Sequence, residues 1–384
     1  MANFLITGAR APAALELARN LFRDGHIIYM ADSLAFPLAK HSKCVKKTFR
    51  ITAPKASLLR FKNDIKSILK QYNIDVVIPT CEEVFYISAV KPDLEPHSTI
   101  FCPDFNLIKK LHSKHAIYCA AKNTGFSNPN TKILSGAALL AKKIYKEQVI
   151  KKEFCRFGTG VLIEPNFCDV LTLVDKQLEQ QFIIQNKVKG IEYSSYAIAN
   201  NGVVLFDSIY TSKHKVKMGA GIYFTPVINK KISVAIKAFC KKNNITGQIS
   251  FDVIENAQNI YLLECNPRAT SGLHLLSTSS LSSAFLGQRH TPTCENEFKT
   301  PKMITLAMLL IGLPIALKNA QFKQWKSDYQ AATDVISVKN DRSFILFSLL
   351  SLFEIITISI KTLTSLRAAS TFDIEWDGED FDDQ

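Results

Sequence analysis

The densest run of chemically capable residues is Gly247–Arg268, GQISFDVIENAQNIYLLECNPR. Its apolar stretches 247–254 and 260–264 read as adjacent strands joined by the turn 255–259, as in a hairpin. On a strand, residues i and i+2 share a face. Glu264 and Asn266 can therefore aim oxygens at one point while Asp252 approaches from the neighbouring strand. Two carboxylates and a carboxamide make a hard, oxygen-only set suited to Mg²⁺ that also carries nucleotide phosphates, with Mn²⁺ as a substitute. Arg268 can meet a developing phosphoryl charge with its planar fork. A hairpin with solvated acids would account for any one of these residues, but not for the group.

Other residues carry thinner signals. Gly8 opens what could be a dinucleotide turn with Asp32 as its ribose acid, but TGARAPA lacks the second and third glycines that let pyrophosphate approach. Thr80-Cys81-Glu82-Glu83 follows a buried strand, where open α/β sheets place ligands. Thr80 and Glu83 fit a capping box, Glu82 stays open as a substrate contact, and Cys81 reads as a small buried residue. His274 in SGLHLL lies just past the acidic strands, facing either substrate or core. Lys213, Lys215 and Lys217 form a basic loop that is either solvated or phosphate-directed.

The elements that must position these residues follow from periodicity. Asn3–Thr7 is a strand, broken by Gly8, and Pro12 opens a helix whose apolar face is Ala14, Leu15, Leu17, Ala18, Leu21 and Phe22. A strand at 26–30, a helix at 65–72 and a buried strand at 74–79 continue a parallel α/β unit. Residues 104–124 read as helix, with Tyr118 on its apolar face. Strands follow at 148–152, 160–164, 182–187, 192–199 and 203–210, then a helix at 232–243. This middle is α+β. The last ninety residues read as helical, with apolar runs at 303–317 and 344–360.

In its ending ECNPR, and in the order of the motifs before it, the chain resembles the ATP-grasp superfamily of carboxylate–amine ligases. It is similar to carbamoyl-phosphate synthetase large subunits and to D-alanine–D-alanine ligases. The resemblance implies an N-terminal Rossmann-like preATP-grasp domain (1–103), a two-part ATP-grasp domain (104–290) and a helical C-terminal region with an acidic tail (291–384). It implies ATP bound by Lys114, by Lys151 with the small-residue loop holding Gly158 and Gly160, and by the hinge residues Gln185, Val188 and Glu192. It assigns the metal to Asp252, Glu264 and Asn266, and catalytic charge stabilisation to Arg268 and Lys151. In such proteins the first unit shapes the acceptor side, which makes Arg10, Glu82 and His274 candidates for substrate contact.

The chain departs from the family at Gln185, where an acid usually meets the adenine amino group. An amide oxygen can still accept that hydrogen bond, so adenine selectivity should weaken rather than vanish. A second departure is Lys152-Glu153, where many members have a proline. The implied reaction makes an acyl phosphate from a carboxylate and ATP, then an amide from an amine. A carbamoyl-phosphate-synthetase-like phosphorylating enzyme is the enzymatic alternative, although no internal duplication is visible. A nucleotide-binding regulatory protein is the non-enzymatic one.

Composition bounds the rest. A chain of 384 residues, 47% hydrophobic and 21% charged, suits two or three globular domains and rules out a disordered or fibrous chain. Nine cysteines, with no CxxC pair and no signal peptide before them, fit a reducing cytoplasm. The net charge is +13, and the seven acids of residues 373–384 hold it down from +20. Such an excess attracts anions, yet no zinc spacing, RNP-like motif or long basic run points to nucleic acid. Small anionic substrates are expected. The run 344–360 has 17 residues with Glu354 inside it, short for the roughly 20 a bilayer crossing needs. Ser348, Ser351, Glu354 and Thr357 form a thin polar stripe on it. We expect this helix to be covered by the body or by a second subunit, as in a homodimer, in preference to a membrane surface, with the acidic tail free to screen basic surface.

Overall fold

The structure is a computed structural model that describes residues 1–154, 160–215, 221–276, 280–288, 300–338, 341, 344–379 and 381, with side chains in the last long helix from 347 onward. Three sheets organise it. The first is five-stranded and wholly parallel. Asn3–Thr7 lies at its centre between Ile27–Asp32 and Val76–Ile78, with Lys47–Arg50 and Thr99–Ile100 at the edges. Its three central strands are almost continuously buried, as a parallel sheet covered by helices on both faces requires. The helix Pro12–Arg23 covers one face and Leu58–Tyr72 the other.

The second sheet is antiparallel, in the order Lys132–Ser135, Gln181–Asn186, Gln148–Lys152 and Val161–Ile163. The third has eight strands. Val203–Thr211, Ile191–Asn200, Gly247–Glu255 and Ile260–Asn266 run side by side at its middle. Tyr196, Ile198 and Phe206 of this sheet pack in one apolar cluster with Phe4, Ile6 and Leu15, so the large sheet and the N-terminal unit share a core.

Two glycines permit close approaches that a side chain would block. Gly8, at φ +72°, would place a Cβ 2.9 Å from Glu83 Oε1 and from Thr80 Oγ1. The turn it makes is a seat for the Thr80–Glu83 segment. A Cβ on Gly272 would lie 2.4 Å from that of Tyr196, so the short 3₁₀ turn Ser271–Leu275 can press onto the sheet only as glycine there.

Several sequence expectations are corrected. The helix expected over 104–124 is two, Phe105–His112 and Ile117–Ala121, because Ser113 leaves the first in an extended conformation and its hydroxyl accepts from the Ala116 N–H at 2.9 Å across the turn between them. Lys114 sits in that break. The apolar run at 303–317 is likewise divided, with a π-helical turn at Met308–Gly312 just before Pro314, which has no N–H to continue the ladder.

The helix Phe344–Thr362 is not buried. Its polar stripe faces inward: Ser351 is buried, and Glu354 accepts from the Ala35 and Phe36 N–H groups, both at 2.8 Å. Leu349, Phe353 and Ile360 are exposed, Phe353 by 68%. The polar positions were the anchor because two unpaired backbone N–H groups there need acceptors. No helix among the described residues is long and apolar enough to cross a membrane.

The described part of the acidic tail is not free either. Asp373 binds Arg10, the Tyr86 hydroxyl donates to the Glu375 carbonyl at 2.8 Å, and the Trp376 ring is fully buried against Phe85 and Phe154.

Candidate active site

The hairpin expected from the sequence is formed, and its register sets Asp252 directly opposite Glu264. Asn266 follows on the same face, its amide nitrogen 3.4 Å from both Asp252 Oδ2 and Glu264 Oε1. A slip in the register between Asp252 and Val253 marks an irregularity in the strand beside this pair. Two carboxylates side by side repel. Enclosure in the cleft, and then the Glu264 charge, push the Asp252 carboxyl well above its ordinary range. Enclosure acts on Glu264 too, but Lys114 and then Lys151 outweigh it and hold Glu264 below the usual carboxylate range. The set fits a divalent cation: its acceptors are oxygens, its carboxylates are crowded, and turning the Asn266 amide would present a third oxygen. Ser194 Oγ donates to Asp252 at 2.5 Å, a contact the sequence reading did not include.

The lysines arrive from two other elements. Lys114, in the break between helices, brings Nζ to 3.9 Å from Glu264 Oε2. Lys151, on the second sheet, donates to the Leu263 carbonyl at 3.4 Å. Both are buried, so each amine is held by the acids and carbonyls around it and not by bulk water. Gly160, at φ +69°, closes the turn that returns to Lys152. Gly158 and Lys217 lie outside the described residues. Of the other loop lysines, Lys213 pairs with Asp328 at 3.1 Å, while Lys215 reaches into the cleft and pairs with Glu192.

On the hinge strand Gln185 is buried, and its amide nitrogen donates to the Tyr118 hydroxyl at 2.6 Å and to Thr131 Oγ1 at 2.8 Å. Tyr118 in turn donates to the Leu262 carbonyl at 3.0 Å, so it must accept from Gln185. That order fixes the amide with its oxygen left as the acceptor. Neither Tyr118 nor Thr131 was legible as a partner of Gln185, since Tyr118 reads as an ordinary apolar-face residue. Val188 follows, half-buried, in the link to Ile191–Asn200.

One cavity of about 600 Å³ is lined by Lys151, Glu192, Asp252, Glu264, Asn266 and Arg268, and by Arg10, Glu82 and His274 as well. Arg268 Nε donates to Glu82 Oε1 at 2.7 Å, so the fork stands beside the metal-type residues with one edge already neutralised. Arg10 is engaged elsewhere. Its guanidinium holds Asp32 at 2.7 Å and Asp373 at 2.6 Å, with further bonds to Ser33 and the Ser370 carbonyl. Two carboxylates balance its charge, so Arg10 pins the C-terminal segment to the first unit and does not present an open cation to a substrate. Glu83 is half of the expected cap: its carboxylate accepts from the Thr80 and Cys81 N–H groups, but the Thr80 hydroxyl donates to the Thr7 carbonyl. Burial, then the Glu83 charge, push the Cys81 thiol far up, away from the thiolate form.

Residues 111–272 match the family described as the ATP-grasp domain. The chain carries an ATP-grasp domain. All the metal-type residues, both lysines and the hinge residues lie within that stretch, whereas Arg10, Glu82 and His274 lie outside it. A tyramine–L-glutamate ligase of Methanocaldococcus jannaschii is 27% identical over 223 residues, which is 57% of this chain and 63% of that protein. The chain thus spans less than two thirds of that relative's length. Among solved structures, an N5-carboxyaminoimidazole synthetase of Staphylococcus aureus complexed with ADP superimposes with TM-score 0.60 at 14% identity, covering 83% of this chain and 86% of that one. The dimeric biotin carboxylase domain of the Hydrogenobacter thermophilus 2-oxoglutarate carboxylase, in complex with MgADP, gives 0.58 at 13%, covering 77% and 72%. These likenesses establish the ATP-grasp fold with an N-terminal α/β unit before it.

Proposed function

We propose that this protein is an ATP-dependent ligase that joins a carboxylate to an amine through an acyl phosphate. The observation that carries the reading is one cavity lined by two unlike sets of residues. We assign the paired acids and Lys151, with Lys114 behind Glu264, to one end, and Glu82, His274 and the apolar Phe224, Ile304 and Ile355 to the other. The first end suits polyphosphate, and the second suits an organic acceptor. We assign the domains as 1–103, 104–290 and 291–384, and place the protein in the cytoplasm as a homodimer.

In this mechanism Lys114 and Lys151 hold the nucleotide phosphates, and Gln185 accepts from the adenine amino group beside the Val188 backbone. Glu192 takes the ribose. A substrate carboxylate oxygen attacks the terminal phosphorus of ATP, ADP leaves, and an acyl phosphate forms. Arg268 offers its fork to the phosphoryl oxygens as their charge moves. Asp252, Glu264 and Asn266 would hold Mg²⁺, or Mn²⁺ in its place, which supplies positive charge to the nucleotide phosphates. The amine then attacks the acyl carbon and phosphate departs. No protein nucleophile is required, since holding the reactants in line supplies much of the rate.

The test is phosphate release from Mg-ATP over pools of carboxylic acids and amines, followed by mass spectrometry of the product. The relative makes L-glutamate and tyramine the first pair to try. An adduct of acid plus amine less water, formed with stoichiometric ADP, is the expected result. ATP cleavage without any acid present, or no cleavage with any pair, overturns the ligase reading.

A further inference from the structure

His274 sits in the 3₁₀ turn that Gly272 lets press onto the large sheet. Its ring is almost wholly buried, near-parallel to Phe224 at 6.3 Å between centroids, yet it lines the shared cavity. Nδ1 is buried, without a hydrogen-bond partner, and 3.9 Å from Glu16 Oε2 on the first helix. That separation is too long for a hydrogen bond and short enough for an imidazolium–carboxylate ion pair. Glu16 is suited to the part. Burial alone would raise its carboxyl, but His274, Arg19 and Arg23 outweigh burial and keep it ionised. Nε2, the ring nitrogen away from Glu16, is the one we assign to the cavity. A buried imidazole with a carboxylate behind one nitrogen and a substrate cavity before the other is the arrangement of an oriented proton acceptor.

We propose that His274, oriented by Glu16, removes the proton that keeps the incoming amine from being a nucleophile. This rests on the ligase reading. At neutral pH an alkyl amine arrives as an ammonium ion with no lone pair. His274 Nε2 takes one proton, and the freed nitrogen bonds to the acyl carbon. The carbon–oxygen bond to phosphate breaks, and the second nitrogen proton leaves with the phosphate oxygen. His274 returns its proton to solvent. His274 is thus a catalytic residue and Glu16 a positioning residue, and neither should matter for forming the acyl phosphate at the other end of the cavity.

The experiment compares two nucleophiles on one acid from the screen above. Hydroxylamine is largely neutral near pH 7 and needs no base. Tyramine, or the amine the screen returns, carries an ammonium. His274→Gln should form hydroxamate from hydroxylamine at close to the wild-type rate while kcat with the ammonium amine falls about a hundredfold or more. Glu16→Gln should show the same selectivity with a loss of roughly tenfold, because the base remains but loses its orienting charge. The KM for ATP should stay unchanged in both, and imidazole in solution should restore part of kcat to His274→Gly. Equal losses with both nucleophiles, or an unchanged kcat with the ammonium amine, overturn the proposal. If His274→Gln does not fold, Glu16→Gln and the imidazole rescue decide the matter. Wild-type protein that yields no hydroxamate with any acid overturns the ligase reading instead.

Discussion

The two ends proposed for the cavity are built in different ways. At the proposed nucleotide end every assigned side chain, from Lys114 to Arg268, lies within the ATP-grasp match, and the acids stand on one hairpin whose register pairs Asp252 with Glu264. At the end we assign to the acceptor the wall gathers residues 10–13 and 80–82 from the first unit, Thr270, Ser271 and His274 from the 3₁₀ turn and its lead-in, and Ile304, Ile355, Ser370 and Thr371 from the C-terminal region. A charged cluster on paired strands is a local construction. A pocket assembled from four distant stretches depends on how whole units dock, and its lining can change without disturbing the phosphate site. If this division holds, substitutions at one end should alter the handling of ATP, and substitutions at the other the handling of the acceptor.

The largest expected effect is at the hairpin. Glu264→Gln removes a charged oxygen that the Lys114 and Lys151 ammonium groups hold ionised. Turnover should fall by about a hundredfold to a thousandfold, the scale seen when one preorganised electrostatic group is lost. Circular dichroism and the melting temperature should change little. Near-normal turnover at saturating Mg²⁺ would remove Glu264 from the chemistry.

Next in size is Lys151→Ala. A charge-assisted hydrogen bond contributes roughly 1.5–3 kcal/mol, so the apparent KM for ATP should rise about tenfold to a hundredfold with the acceptor KM unchanged. Saturation curves for both substrates decide it. A defect confined to the acceptor would break the division between the ends.

The same contrast explains what could be read from the chain beforehand. Asp252, Glu264, Asn266 and Arg268 were legible because strand alternation converts sequence spacing directly into a shared face. Most strands from 148 to 266 were legible for the same reason. Lys114 could be placed only through the ATP-grasp resemblance, since nothing in the apolar periodicity of 104–124 signals the break at Ser113. Arg10 looked like an anion site because its partner Asp373 lies 363 residues away. The outward face of 344–362 was hidden for a related reason: an apolar run says that burial is favourable, but not that Ala35 and Phe36 present N–H groups that only Glu354 can satisfy.

A subtler test concerns the base. Because Tyr118 fixes the Gln185 amide, the oxygen is left as the acceptor and should retain a preference for the amino edge of adenine over the carbonyl edge of guanine. Tyr118→Phe lets the amide turn, with only Thr131 left to hold it. The ratio of GTP to ATP dissociation constants should shrink roughly threefold to tenfold, in keeping with one ordinary hydrogen bond. An unchanged ratio in calorimetric titrations would mean that something other than this amide reads the base.

The smallest effect sharpens the comparison from the acceptor side. Asp373 ties Ser370 and Thr371 into the cavity wall through Arg10, and Asp32 shares the load on the same guanidinium. Asp373→Asn should therefore loosen the wall without releasing it, raising the acceptor KM severalfold and leaving the KM for ATP unchanged. The pH dependence has a definite sign. Burial opposes ionisation of Asp373, but the Arg10 hydrogen bond and charge outweigh it and hold the carboxyl below its ordinary range. A depressed folded-state value contributes stability that is complete above the unfolded value of about 3.9 and is lost as pH falls through the folded one. The wild type should thus lose melting temperature below about pH 4 more steeply than Asp373→Asn, which has no proton to gain at that position. Parallel melting curves in acid, or a matching rise in the KM for ATP, would show that the C-terminal segment supports the nucleotide end as well, and that the two ends are one mechanical unit.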